Sequence, residues 1–154
     1  MVETTLSGAS HHILTNDYAS EWMGIEVLKL DDGHATIRMH LRQEMLNGFG
    51  MAHGGMIFAF GDTAFALACN PANPTPKQAA NITVASGVDI NFIKPAFQGQ
   101  VITAVANRRA STGRSGLYDI QIYAASPDTP SSADAGPGEL IAEFRGRSRT
   151  ISKK

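Results

Sequence analysis

HGGMIFAFGDTAFALACN, residues 53–70, is the stretch on which the fold turns. From Gly54 to about Cys69 it is apolar on almost every helical face, so the spacing predicts a helix buried on all sides. Asn70-Pro71, with Pro74 and Pro76 behind it, ends the helix, because proline lacks the N–H and clashes with the preceding turn. On the N-terminal side, residues 42–52 are polar or glycine-rich and read as a loop. Before them, His34 to Leu41 places Ala35, Ile37, Met39 and Leu41 on one face of a strand. Asp31-Asp32-Gly33 is a hairpin turn, preceded by a strand over Trp22 to Leu30 with Met23, Ile25 and Val27 alternating. Residues 9–20 are a helix candidate within an N-terminal extension, residues 1–20.

On the C-terminal side the pattern returns to strands. Ile82, Val84, Ser86, Val88, Ile90 and Phe92 form one series, closed by Lys94-Pro95. A second strand covers Val101 to Arg109, and residues 111–116 (STGRSG) read as a turn. A third covers Leu117 to Ala125, with Tyr118, Ile120 and Ile122 on one side, and a last one Glu139 to Ile151. Residues 126–138 (SPDTPSSADAGPG) have the composition of a mobile loop. Two strands, one helix and four more strands predict an α+β domain over residues 1–154. An antiparallel sheet of about six strands wraps the helix, since there are too few helices to cover a parallel sheet.

The 154 residues, 43% hydrophobic and 18% charged, suit one soluble globular unit. A formal net charge of -1 argues against bulk attraction to nucleic acid or anionic membrane. No stretch reaches the roughly 18 apolar residues of a membrane span, and the first residues do not resemble a secretory signal, so the expected location is the cytoplasm. The single cysteine, Cys69, allows no disulfide within the chain and reads as a small core residue. No metal is expected, because no histidine forms a ligand spacing with His53. The nucleophile elbow and the phosphate-binding GKS or GKT are missing, and Gly48 to His53 lacks the third glycine of a dinucleotide fingerprint.

Asp62 stands inside the most apolar segment, where an ionised carboxylate is costly unless it is bonded or used. Gly54 and Gly55 open the helix, where N–H groups lack intrahelical partners and, with the macrodipole, can polarise a carbonyl. The same glycines also suit tight packing. His53 is a candidate acid or base, or a packed residue at the helix start. Asn47 is a candidate to orient water, or a turn residue beside Gly48. Gly54 and Asp62 lie eight residues apart, about 12 Å along a helix. Attack needs atoms about 3–3.5 Å apart. If both act on one carbonyl, they come from two chains with antiparallel helices, and the site lies at a dimer interface.

The helix motif, with 85–100 (ASGVDINFIKPAFQGQ), 116–123 (GLYDIQIY) and 144–148 (FRGRS), resembles the PaaI group of hotdog-fold thioesterases, associated with phenylacetate degradation. The resemblance spans roughly residues 12–151. It implies a long helix wrapped by an antiparallel sheet, paired into a homodimer and commonly into a dimer of dimers. It implies acyl-coenzyme A as substrate, with aryl-acetyl or hydroxyaryl-acetyl groups, and no cofactor, since coenzyme A is part of the substrate. Asp62 is then nucleophile or general base, and Gly54 of the partner chain polarises the thioester carbonyl. Asn47 helps place the carbonyl or the water, and His53 is the motif histidine. Gly55, Ser86, Gly87, Lys94 and Arg114 are the matching substrate-binding positions. Further candidate cations for the coenzyme A phosphates are Arg108, Arg109, Arg145, Arg147 and Arg149; the last three share one strand face, which reads equally well as a solvated face. Some relatives carry a threonine one turn after the carboxylate, where this chain has Ala66.

Two other readings stand beside this one. A hotdog hydratase or dehydratase usually pairs a histidine with a carboxylate, and here His53 and Asp62 are nine residues apart. A non-catalytic acyl-coenzyme A-binding protein needs no Asp62 and usually carries a regulatory segment.

Overall fold

The computed structural model describes residues 9–128 and 136–153. Residues 1–8 of the N-terminal extension and residues 129–135 of the 126–138 loop lie outside the described residues. Helix α1 (Tyr18–Met23) is followed by β1 (Glu26–Asp31), β2 (His34–His40), helix α2 (Gly54–Cys69) and the short α3 (Pro76–Ala79). Then come β3 (Asn81–Phe92), β4 (Val101–Thr112), β5 (Ser115–Ala125) and β6 (Glu139–Ser152). The six strands form one antiparallel sheet in the order β1-β2-β4-β5-β6-β3, which leaves β1 and β3 as its edges. The sheet wraps α2, as the pattern of one apolar helix among strands predicts.

The core lies between α2 and the concave face of the sheet. Ile57, Phe60, Ala64, Phe65 and Leu67 of the helix meet Ile37 and Met39 of β2, Ile102 and Ala104 of β4, Ile120 and Ile122 of β5, and Phe144 of β6. Burying a side chain of this size contributes about 1.5–3 kcal/mol. Two glycines set how closely the layers approach. A Cβ on Gly61 would lie 2.9 Å from the Phe144 ring, and one on Gly146 would lie 2.6 Å from the Phe65 ring. The Phe65 and Phe144 rings fill that space edge to face, with centroids 6.1 Å apart. At its C-terminal end α2 is tied to β3, where the Asn70 side chain donates to the carbonyls of Ala66 and Thr83 and accepts Thr83 N–H.

Several expectations need correction. The N-terminal helix is two pieces. A 3-10 turn at His12–Leu14 and α1 are separated by Asn16, whose φ of 61° interrupts the helical backbone. Trp22 and Met23 belong to α1 rather than to a strand, because Asp17 caps that helix and Gly24 ends it; Ile25 and Val27 are buried as expected. The expected six-residue turn at 111–116 is a two-residue turn at Gly113-Arg114, since Ser111 pairs with Gly116 and Thr112 with Ser115. In β3 the alternation breaks at Ser86, where Ala85 pairs with Ser148 but Gly87 already pairs with Arg147. This bulge turns Ile82 and Val84 outward, whereas Val88, Ile90 and Phe92 lie opposite the inward residues Gly146, Phe144 and Ala142. Finally, α2 is not covered on all sides by its own chain. Gly55, Phe58, Ala59, Asp62 and Ala66 recur at helical spacing along a partly or fully exposed stripe, with Phe58 38% exposed.

Candidate active site

The start of α2 is held from two directions. His53 N–H bonds to the Met45 carbonyl at 2.8 Å and Ala52 N–H to the Ala96 carbonyl at 2.8 Å. His53 is then the N-cap. Its Nδ1 accepts Gly55 N–H at 3.0 Å, and its carbonyl accepts Met56 N–H at 2.9 Å and Ile57 N–H at 3.2 Å. A helix begins with four N–H groups lacking intrahelical carbonyls. Of those four here, His53 N–H goes to Met45, Gly55 and Met56 N–H go to the His53 ring and carbonyl, and Gly54 N–H has no acceptor among the described residues, while Ile57 N–H makes the first regular bond of the helix. Because Nδ1 accepts, the proton of a neutral His53 ring sits on Nε2, and the residue is exposed.

Gly54 borders a mostly apolar cavity of about 320 Å³, lined by Met51, Ala52, Ile57, Phe92, Ile93, Lys94 and Pro95. The Phe92 ring lies 3.3 Å from where a Cβ on Gly54 would stand, so glycine leaves the N–H open beside an aromatic wall. Phe92 is a site residue that the sequence pattern did not single out. Its place at the end of the β3 series was visible, but not its contact with Gly54.

Two turns along the helix, Asp62 lies half-buried on the open stripe of α2. Burial, and then the negative charge of Asp17 on α1, hold its carboxyl above the ordinary aspartate range. Among the described residues no hydrogen bond offsets this shift. A more basic carboxylate is better matched to proton abstraction near neutral pH. Cys69, on the same helix, is pushed up to about 12 by burial and is a thiol rather than a nucleophile at neutral pH.

The remaining sequence candidates separate into groups. Asn47 Oδ1 accepts Phe49 N–H at 2.9 Å and Met51 N–H at 3.2 Å, which builds the loop leading to α2. Lys94 reaches the Gly54 cavity and pairs with Glu139. Ser86 and Gly87 form the β3 bulge. Ser86 Oγ donates to the Arg147 carbonyl, and Gly87 gives room for the Arg147 guanidinium, which pairs with Asp89 at 2.8 Å. Arg114 sits at the opposite end of α2 from Gly54. Its carbonyl accepts Thr150 N–H, the Thr150 hydroxyl meets Thr83, and Thr83 holds Asn70. Arg108 pairs with Asp32, and Arg109 and Arg145 with Asp119. Arg114 and Arg149 have no carboxylate partner among the described residues. Among the described residues there is no cluster of metal-ligating side chains, and no helix is long and apolar enough to cross a membrane.

Comparison with known proteins adds findings of three kinds. A family model described as the thioesterase superfamily matches residues 49–131. The chain is 34% identical to acyl-coenzyme A thioesterase PaaI of Escherichia coli, over 92% of this chain and 89% of that protein. It is 28% identical to a putative esterase of Archaeoglobus fulgidus, over 72% of this chain and 68% of the relative. Among solved structures, the E. coli PaaI protein from the phenylacetic acid degradation operon superposes with a TM-score of 0.74, covering 90% of this chain and 88% of that one. A variant of the phenylacetic acid degradation protein PaaI of Thermus thermophilus superposes with a TM-score of 0.71 at 28% identity, covering 86% and 98%.

Proposed function

The chain belongs to the thioesterase superfamily and is a PaaI-type hotdog thioester hydrolase, and from that premise we propose that it hydrolyses aryl-acetyl or hydroxyaryl-acetyl coenzyme A at sites shared by two copies. One observation carries the reading. The single unspent N–H at the start of α2 and the half-buried carboxylate of Asp62 lie eight residues apart on one helix, and both are open to a neighbour.

In this reading two α2 helices pack antiparallel along the stripe of Gly55, Phe58, Ala59, Asp62 and Ala66. Gly54 of one copy then lies near Asp62 of the other, and the two-fold axis generates two equal sites. The thioester carbonyl oxygen accepts Gly54 N–H, and the negative charge that develops there is stabilised by the donor and by the helix start. Asp62 either attacks the carbonyl carbon, giving a mixed anhydride that water then opens, or takes a proton from a water that attacks directly. In both routes the carbon–sulfur bond breaks, coenzyme A leaves as the thiolate, and the products are the free acid and coenzyme A. No further cofactor is needed.

The apolar cavity beside Gly54, with Phe92, Ile93 and Ile57 in its wall, supports an acyl group the size of one aromatic ring. Arg114 is suited to the phosphates. It lies at the Asn70 end of its own α2, and antiparallel pairing turns that end toward the Gly54 of the other copy. Ile82, Val84 and Ile151, 38–41% exposed on the outer face of β3 and β6, support further pairing into a dimer of dimers. The setting is the cytoplasm. A screen of thioester release across aromatic and aliphatic acyl-coenzyme A compounds, with Asp62→Asn as control, tests the proposal. Equal turnover by the folded variant, or no release from any aryl-acetyl thioester, refutes it.

A further inference from the structure

Helix α1 takes no part in the reaction above, yet it sends a hydrogen-bonded relay to the residue after Asp62. Asp17 caps α1, its Oδ1 accepting Ser20 N–H at 3.0 Å and its Oδ2 accepting Ser20 Oγ–H at 2.7 Å. Ser20 Oγ lies 3.0 Å from Thr63 Oγ1. Ser20 has one hydroxyl proton and gives it to Asp17, so Thr63 donates to Ser20. The relay therefore runs Thr63 to Ser20 to Asp17 and ends on a carboxylate. Ser20 is 1% exposed, so this polar contact is sealed between the two helices. An apolar pair would dock α1 at no desolvation cost. What the polar version adds is a fixed negative charge beside α2.

We propose that Asp17 is a positioning residue: the relay through Ser20 and Thr63 locks its charge beside the Asp62 carboxylate and keeps Asp62 a ready proton acceptor. The role rests on the reading of Asp62 as the working carboxylate. The surroundings leave Asp17 the dominant charge. The residues turned to α2 are Val27 of β1, Ala35, Ile37 and Met39 of β2, Val88 and Ile90 of β3, and Ile102, Ala104 and Ala106 of β4. β5 adds Tyr118, Ile120 and Ile122, and β6 adds Ala142 and Phe144. Of these only Tyr118 titrates, and its ring packs on Phe65. α1 carries Tyr18 and Glu21 as its other titratable groups, and α2 carries Cys69 and the capping His53. In the proposed dimer the second copy adds its own His53. The charge of Asp17 follows only burial among the causes that raise Asp62, and among the described residues no cation opposes it.

The test is a pH titration of aspartate carboxyl carbons by NMR in ¹³C-labelled protein, with the Asp62 signal identified by its loss in Asp62→Asn. Asp17→Asn removes the charge and keeps an equally good helix cap; Asp17→Ser is the second capped variant should the first fail to fold. The Asp62 midpoint is expected to move to lower pH in either variant, and the acid limb of kcat/KM for thioester hydrolysis to move with it. Ser20→Ala keeps the charge and cuts the relay, and a smaller shift in the same direction is expected as Asp17 swings toward water. A wild-type Asp62 midpoint in a folded Asp17 variant overturns the proposal and leaves Asp17 as a cap alone. A wild-type midpoint in Ser20→Ala overturns the relay. If turnover does not depend on Asp62, the catalytic reading fails, while the NMR midpoint still reports on Asp17.

Discussion

Mixing two inactive variants should restore activity. Asp62→Asn removes the carboxylate. Gly54→Val fills the approach to the Gly54 N–H, and its Cβ, starting 3.3 Å from the Phe92 ring, is accommodated because Phe92 is 53% exposed and free to move. Each homodimer is dead at both sites. In a mixed dimer with antiparallel α2 helices, one site receives both lesions and the other receives neither. Random 1:1 exchange makes about half of the dimers mixed, each with one of two sites intact, so about a quarter of wild-type activity returns. If Gly54 and Asp62 of one chain served one site, every site would carry a lesion and nothing would return; their separation of about 12 Å along the helix argues against that arrangement. The assay is steady-state thioester release after subunit exchange, with exchange followed by native mass spectrometry. A fully exchanged mixture that stays inactive refutes the shared site.

Asp62→Asn alone should lower kcat by about 10²–10⁴-fold, as loss of a general base or nucleophile does, and near-normal kcat in the folded variant contradicts the assignment. The same variant should be more thermostable than wild type at neutral pH. An acid raised above its ordinary value of 3.8 on folding loses stability as pH rises through that window, and the loss persists above it. The gap in Tm should therefore close as the pH is lowered toward 3.8, and a Tm below wild type at pH 7 counts against it. Phenylacetyl-coenzyme A should have a higher kcat/KM than palmitoyl-coenzyme A, and a clear palmitoyl preference contradicts the ring-sized cavity. Gly146→Ala should drive a Cβ into the buried Phe65 ring, at a cost of about 1–3 kcal/mol, on the order of 2–12 °C in Tm by calorimetry. An unchanged Tm refutes that packing argument.

The central helix and the sheet were legible because their signals are local and strong. Gly54 to Cys69 is too apolar to lie on a surface, and β2 and β5 alternate cleanly. The β3 bulge at Ser86 was not legible: an extra residue in a strand leaves the composition strand-like while reversing the face of everything after it. The Thr112 to Ser115 turn was hidden because Ser, Thr and Gly suit both a long turn and a twisted strand end. For α1, the Asp17 cap and Gly24, at φ 73°, were punctuation that outranked the alternation of Met23 and Ile25. At the site, Asp62 and Gly54 stood out as chemical exceptions within an apolar run. Phe92, Asp17 and Ser20 did not, because the significance of Phe92 lies in its contact with Gly54, and that of Asp17 and Ser20 in the Ser20 contact with Thr63, 43 positions away.

The way His53 dresses the start of α2 also determines which anions can settle there. A helix start that binds phosphate offers several converging N–H groups to several oxygens at once. Here two of the four are committed to acceptors on one histidine and that histidine's own N–H to Met45, so the opening that remains is monodentate. A thioester presents a single carbonyl oxygen, and one N–H matches it in number and direction. Inorganic phosphate, or a phosphate of coenzyme A itself, would gain one bond there while giving up the hydration of its other oxygens. In the proposed mechanism the cap would therefore act as a chemical filter, disfavouring a strongly anionic product fragment at the place where the next carbonyl would bind.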